Sequence, residues 1–285
     1  MSLAGSSARR GSNSSVLFRW LGTAGIELLL HDQVIVIDPY FSRVPRWKLW
    51  LGTLSPARAL IAKSVPRCDL VLVTHAHFDH IMDVPDIVCN TGAKAVGSRN
   101  SCQLLKVCGI LQEKIEETNV GDALALGDFG IRVRQAKHRT VPGFSPGPLA
   151  PDLSPPLRAR DYRMDNFYSF LILVNGLRLL TDPGTRPEDA VAADVLFVYP
   201  GMPHAYYEAL LRLVRPRLTV PIHWEDFFRP MSEPLSPYWK PPALAVPPMP
   251  HLDLRKFRQM LEQVAPQTRV LEPEILCTYD LENLM

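Results

Sequence analysis

No run of apolar residues in this chain approaches the length of about 20 that a membrane-spanning helix needs. Charge of one sign is not in excess either. The 31 Lys and Arg against 29 Asp and Glu leave a net charge of +2, so no broad basic face is implied and nucleic acid is not an expected partner. The five cysteines (Cys68, Cys89, Cys102, Cys108, Cys277) are odd in number and form no Cys-x-x-Cys pair, which argues against a disulfide framework. They read as reduced, buried, small apolar residues of a cytosolic protein. A hydrophobic content of 47% with 21% charged residues excludes a disordered chain. At 285 residues the chain is long enough for one large domain or two small ones. Residues 1–15 are rich in Ser, Gly and Arg and lack an apolar segment, so they read as a disordered tail rather than a signal peptide. A leader removed ahead of Met1 stays open.

What is present in abundance is histidine in one short stretch. Thr74-His75-Ala76-His77-Phe78-Asp79-His80 follows the apolar run Leu70-Val71-Leu72-Val73, which reads as a short buried strand. His75 and His77 are two apart, so an extended backbone points both to one side. Asp79 and His80 follow where the chain turns. Burying so many polar groups together is costly unless a cation holds them, and neutral imidazole with ionised carboxylate is a donor set that suits zinc. The offsets differ from a helical His-Glu-x-x-His pattern, so a helix-borne metalloprotease is not suggested.

Three further candidates lie at the ends of predicted strands. His138 follows the alternating segment Gly130-Ile131-Arg132-Val133-Arg134. Asp182 follows Leu177-Arg178-Leu179-Leu180-Thr181. His223 follows Leu218-Thr219-Val220-Pro221-Ile222. Strand ends gather along one edge of a stacked sheet, so these separated segments are expected to converge.

These residues together resemble the metallo-β-lactamase superfamily, whose signature is His-x-His-x-Asp-His with a distant His, Asp and His. Trp20-Leu21-Gly22-Thr23-Ala24-Gly25, Ile37-Asp38-Pro39, Thr181-Asp182-Pro183-Gly184 and Pro221-Ile222-His223-Trp224 make the chain look most like the branch of UlaG-like L-ascorbate-6-phosphate lactonases and N-acyl phosphatidylethanolamine phospholipase D. The resemblance spans about residues 16–280. It implies an α/β (α+β) fold, a four-layer αββα sandwich, and two divalent metal ions. His75, His77 and His138 would hold the first, Asp79, His80 and His223 the second, and Asp182 would bridge them. A hydroxide between two such cations is a strong nucleophile near neutral pH, and Asp79 would orient it or take its proton. The expected function is therefore a metal-dependent hydrolase cleaving a phosphodiester or ester, with a UlaG-like lactonase as the alternative. A di-iron oxidoreductase and a non-catalytic binding member remain as readings from other classes. His77 stands where oxygen-reducing di-iron relatives usually carry Glu, and Ile81 where glyoxalase II carries Gly. Zinc is favoured, and manganese or iron fit the same donors.

A faint internal repeat agrees with this fold. Leu28 to Pro39 (LLLHDQVIVIDP) and Ile172 to Pro183 (ILVNGLRLLTDP) are both hairpins ending in Asp-Pro, with His31 and Asn175-Gly176 at the turns. Asp38 is thus the repeat partner of Asp182, and its expected role is structural, near the metal edge. Helices are expected over 55–63, 100–107, 203–214 and 252–264. After the tail, residues 16–285 form one domain with inserted loops at 41–54, 141–161 and 229–250. Trp47 and Trp50 in the first loop are read three ways: lining an apolar pocket, contacting a lipid surface with Arg43, Arg46 and Lys48 at the headgroups, or packing on the protein itself. His204 is either a general acid beside the metals or a helix N-terminal residue without a chemical role. Tyr168, Arg186 and Trp224 are further pocket candidates. Arg158, Arg160 and Arg163 form either a phosphate cluster or a solvated charge run. The expected partner is a small-molecule or lipid-like substrate, and the oligomeric state is not legible.

Overall fold

The computed structural model of the protein describes residues 15–139, 146–238 and 252–285. Its strands form two sheets. The first joins β1 (Leu17–Gly22), β2 (Gly25–Leu30), β3 (Gln33–Ile37), β4 (Leu70–Leu72), β5 (Lys94–Gly97), β6 (Ile115–Glu117) and β14 (Thr278–Asp280), in the order β14-β1-β2-β3-β4-β5-β6. The second joins β7 (Ala123–Leu126), β8 (Phe129–Gln135), β9 (Tyr168–Val174), β10 (Leu177–Leu180), β11 (Val195–Val198), β12 (Leu218–Pro221) and β13 (Arg269–Val270), in the order β13-β12-β11-β10-β9-β8-β7. Both sheets follow one plan. Antiparallel hairpins come first, and strands added in parallel follow, from β3 to β6 and from β10 to β13.

The repeat noticed in sequence is the centre of that plan. Leu30 pairs with Gln33 in one hairpin and Val174 with Leu177 in the other, so two residues make each turn. His31, Asn175 and Gly176 have positive φ there (54°, 48° and 76°), the backbone such turns require.

Alternation along the strands decides the layers. Phe18, Leu28, Ile35, Phe170, Ile172, Leu179, Phe197 and Val220 come from both sheets and form one buried cluster between them. Phe18 and Phe197 meet across it with ring centroids 5.1 Å apart. Truncating a ring buried this way to alanine costs about 3–5 kcal/mol. The outer face of the first sheet carries Val36, Val71 and Ala95. It packs on α1 (Arg58–Ser64), α3 (Val84–Thr91) and α4 (Arg99–Val107) through Ile61, Ile87 and Leu105. The outer face of the second sheet carries Leu180, Leu196 and Val198. It packs on α5 (His204–Val214) and α6 (Leu254–Val264) through Tyr207, Leu211, Phe257 and Leu261. The result is the expected αββα sandwich. Short helices α2 (Phe78–Ile81) and α7 (Leu281–Leu284) complete it.

Several expectations shift. The first helix begins at Arg58, not Ser55, with no side-chain cap at Ala57. α2 and α3 were not anticipated. α3 starts with Pro in its first turn and stops at Gly92, whose φ of 76° is the left-handed closing position. Cys68 and Cys102 are buried, but Cys89 and Cys277 are exposed, so the cysteines are not uniformly core residues. Burial pushes the Cys68 and Cys102 thiols up to about 12. The expected 1–15 tail falls almost wholly outside the described residues, as do parts of the 141–161 and 229–250 loops. No helix among the described residues is long and apolar enough to cross a membrane.

Candidate metal centre

The strand directions bring the histidines together. β3, β4, β8, β10, β11 and β12 all end along the same edge of the sandwich, and the next residues of each supply the site. Thr74 to His80 follow β4, His138 follows β8, Asp182 follows β10, Tyr199 follows β11, and His223 follows β12. Backbone bonds tie the two sheets at this edge. The Tyr168 amide donates to the Thr74 carbonyl (2.9 Å), and the His223 amide to the Thr23 carbonyl (2.7 Å). Lys137 bridges to Gly184, which sets His138 against the Asp182 turn. A Cβ at residue 184 would stand 2.2 Å from the Lys137 carbonyl oxygen, so only glycine permits that approach.

Two groups of donor atoms result. Ligand atoms of His75, His77 and His138 lie within 4.8 Å of one another, and so do those of Asp79, His80 and His223. The His75 Nε2 and His77 Nδ1 atoms are 3.0 Å apart. Asp79 Oδ2 is 3.3 Å from His223 Nε2 and 3.7 Å from His80 Nε2. Asp38, His75 and His80 form a third such group.

Hydrogen bonds around these rings aim them. Asp38 accepts from the Thr74 amide (2.8 Å), from the Thr74 hydroxyl and from His80 Nδ1 (2.8 Å). The Thr74 hydroxyl gives its one proton to that carboxylate, so its oxygen accepts from His75 Nδ1 (3.0 Å). His138 Nδ1 donates to the Arg139 carbonyl. Each of these three imidazoles is thereby held with Nε2 as the lone-pair atom, the tautomer that an outer partner selects for metal binding. Electrostatics keep the first group neutral and make His80 the exception. Burial, then neighbouring imidazoles, keeps His75 well below its ordinary pKa. Burial lowers His77 to about 4 and His138 to about 3. Burial also opposes charge on His80, but Asp38 and Asp79 outweigh it and raise that group. Asp79 is desolvated too, yet His80 and His223 hold it below the usual carboxylate range. Neutral imidazoles and ionised carboxylate, converging and oriented from behind, fit divalent metal.

Asp182 borders the same cleft but belongs to neither group of clustered donors. Its oxygens accept from the Gly184 amide (3.0 Å) and the Tyr199 amide (3.3 Å), and burial pushes its carboxyl up to about 6. The cleft is open to solvent.

The other expected contacts do not line it. His204 opens α5 on the surface, with Nδ1 3.6 Å from Glu208, because Pro203 and the helix direction carry it outward. Tyr168 points into the core and donates its hydroxyl to the Thr118 carbonyl. Trp224 stacks on Trp20 with centroids 5.7 Å apart. Arg186 is drawn to Glu188 and Asp189. Trp47 and Trp50 are 58% and 78% exposed, neither packed inward nor in the cleft. Arg158 and Arg160 are exposed, and Arg163 donates to the Pro146 carbonyl, so no phosphate cluster forms there. Conversely, Thr74, Arg139, Phe167 and Tyr199 line the cleft and were not singled out. Tyr199 obeys the strand-end rule that located the ligands, and Arg139 adjoins His138.

Comparison with known proteins agrees with this geometry. Residues 33–158 match the family model of the beta-lactamase superfamily domain. A UPF0173 metal-dependent hydrolase of Methylocella silvestris is 34% identical over 119 residues, 42% of this chain and 46% of that protein. The chain thus aligns with about half the length of that curated relative. Among solved structures, the metallo hydrolase Igni18 of Ignicoccus hospitalis superposes with a TM-score of 0.59 at 19% identity, over 93% of this chain and 99% of that one. The metallo-beta-lactamase fold protein YhfI of Bacillus subtilis gives 0.56 at 11% identity, over 93% and 99%. Residues 33–158 thus resemble the beta-lactamase superfamily domain, and the fold around the convergent ligands is that of the metallo-β-lactamase-fold structures.

Proposed function

We propose that the protein is a metal-dependent hydrolase that holds two divalent ions and cleaves an ester or phosphodiester bond. The observation that carries this reading is the pair of donor groups, His75/His77/His138 and Asp79/His80/His223, set side by side, with His75, His138, His80 and His223 lining one cleft. The name of the M. silvestris relative supports the same class of activity.

His75, His77 and His138 offer three neutral donors for one ion. Asp79, His80 and His223 offer a carboxylate and two imidazoles for another. Asp182, on the wall of the same cleft, would be the further carboxylate available to the bound ions. Zinc suits this set best, and manganese or iron are the alternatives. Bound divalent ions supply a Lewis acid that polarises a carbonyl or phosphoryl oxygen and makes water acidic near neutral pH. The chain supplies the rest. Asp79 carries its negative charge at the cleft and accepts a proton from an attacking water, with His223 3.3 Å away to hold the carboxylate in place. Asp38 and Thr74 keep His80 and His75 from turning. Phe167 and Met202 narrow the cleft and limit water.

Metal analysis of purified protein by plasma mass spectrometry, with turnover of bis-p-nitrophenyl phosphate and a chromogenic ester, tests the proposal. About two zinc or manganese ions per chain and turnover lost to chelator are expected. Iron with an absorption band would move the reading to redox chemistry. No metal after reconstitution would overturn it.

A further inference from the structure

Among the described residues bordering the cleft, Arg139 is the one lysine or arginine. It directly follows His138. Its guanidinium lies over the ring of Tyr199, Cζ 3.6 Å from the ring centroid. Among the described residues it makes no ion pair, although Asp182 borders the same cavity and Arg139 lowers that group's pKa from nearby. An arginine stacked in this way keeps its in-plane N–H edge for another partner and gives up little further freedom on binding. Tyr199 is itself fixed. Its amide donates to Asp182, its carbonyl accepts from Tyr207, and its ring stands perpendicular to that of His223 at 6.4 Å. The Tyr199 hydroxyl is buried and has no hydrogen-bond partner among the described residues. A Cβ at residue 201 would stand 2.5 Å from that oxygen, so Gly201 is what leaves room for it. Away from the donor groups and Asp182, Ile26, Phe167, Met202 and Ile222 make the apolar part of the wall.

We infer that Arg139, backed by Tyr199, is an anion-binding subsite, and that the substrate carries a negative charge beside the bond that is cleaved. The chemistry rests on the hydrolase reading above, while the location rests only on the cleft. A planar guanidinium suits either a phosphodiester oxygen pair or a carboxylate, because both match its two-pronged edge. The apolar wall asks that the rest of the bound group be uncharged.

Three substrates with the same leaving group separate these cases in metal-reconstituted protein. They are bis-p-nitrophenyl phosphate, the p-nitrophenyl monoester of succinic acid, and neutral p-nitrophenyl acetate. Wild type is expected to prefer an anionic substrate, the diester or the succinate telling which anion is used. Arg139→Gln should lower kcat/KM on that substrate by roughly ten- to a hundredfold, mostly through KM, and on acetate by no more than about threefold. Arg139→Lys should fall between. Equal losses on acetate, a wild-type preference for acetate, or an unaffected Arg139→Gln would overturn the inference. Metal content and near-ultraviolet dichroism of each variant show that the fold is kept. Should metal-loaded wild type turn over none of the three, the hydrolase reading falls, and calorimetric titration with inorganic phosphate decides the subsite. Binding at least tenfold weaker in Arg139→Gln would sustain it, and equal affinity would overturn it.

Discussion

Asp38 Oδ2 lies 2.8 Å from His80 Nδ1, and the same carboxylate accepts from the amide and hydroxyl of Thr74. One buried side chain at the end of β3 thereby aims ligands that belong to β4's extension. Asp38 holds a positive φ of 45°, a backbone state that asparagine and aspartate tolerate better than most residues. Replacing it with alanine should weaken metal binding about 10- to 100-fold, the usual effect of losing an outer partner of a ligating histidine. Competition with a chromophoric chelator reads this directly. An unchanged affinity would show that His80 is oriented by something else.

Asp182 presents the sharper test of how many ions the edge holds. Its oxygens rest on two backbone amides, at 3.0 and 3.3 Å. If it also bridges two ions, Asp182→Ala will bind at most one ion tightly and lose most turnover. A variant that keeps two ions and full activity would confine Asp182 to bracing the Gly184 turn.

Asp83 gives the fold a pH dependence separate from the metals. Its carboxylate accepts from the Phe41 and Ser42 amides and from the Ser42 hydroxyl, while burial still pushes the group up to about 6. The unfolded chain titrates this group near 3.9. The folded state therefore binds the proton more strongly, and stability falls as pH rises from about 4 through about 6. Asparagine, which carries no charge, removes that loss. The stability difference between Asp83→Asn and wild type should grow in favour of the variant by up to about 3 kcal/mol between pH 4 and pH 7.5. Urea denaturation at both pH values measures it, and a difference that does not change with pH would refute the assignment.

His204→Ala should leave turnover within about twofold and stability within about 0.5 kcal/mol, as expected of an exposed side chain paired only with Glu208. Steady-state kinetics and thermal melting check both. A drop of a hundredfold would return His204 to the list of proton donors.

Much of the site was readable because metal ligands obey strict spacing. Two histidines separated by one residue share a side of an extended chain whatever surrounds them, and His138, Asp182 and His223 each follow a segment with a strand pattern. The hairpin repeat was readable for the same local reason, since Asn175-Gly176 dictates its own turn. Contacts that depend on how loops return over the edge were not readable. Trp224 reads as a neighbour of His223, but its ring turns away to lie on Trp20 across the sandwich. His204 sits six residues beyond a strand end, which is far enough for a helix to start and rotate it outward. α2 and α3 were hidden because a segment chosen for ligands, followed by Pro85, carries no apolar stripe long enough to announce a helix.

The two donor groups proposed to hold metal each draw from both sheets. His75 and His77 leave the first sheet and meet His138 from the second, and Asp79 and His80 meet His223 in the same way. An ion in either place would act as a rivet through two plates that are otherwise joined by apolar contact and a few hydrogen bonds at the edge. Neither plate alone owns a complete set of holes. Cutting the chain in the connection around residues 118–122, between β6 and β7, would therefore yield two pieces whose assembly divalent metal strengthens, beyond the shared apolar core and the pairing of β14 with β1. The protein's chemistry and its mechanical integrity would then share the same fasteners.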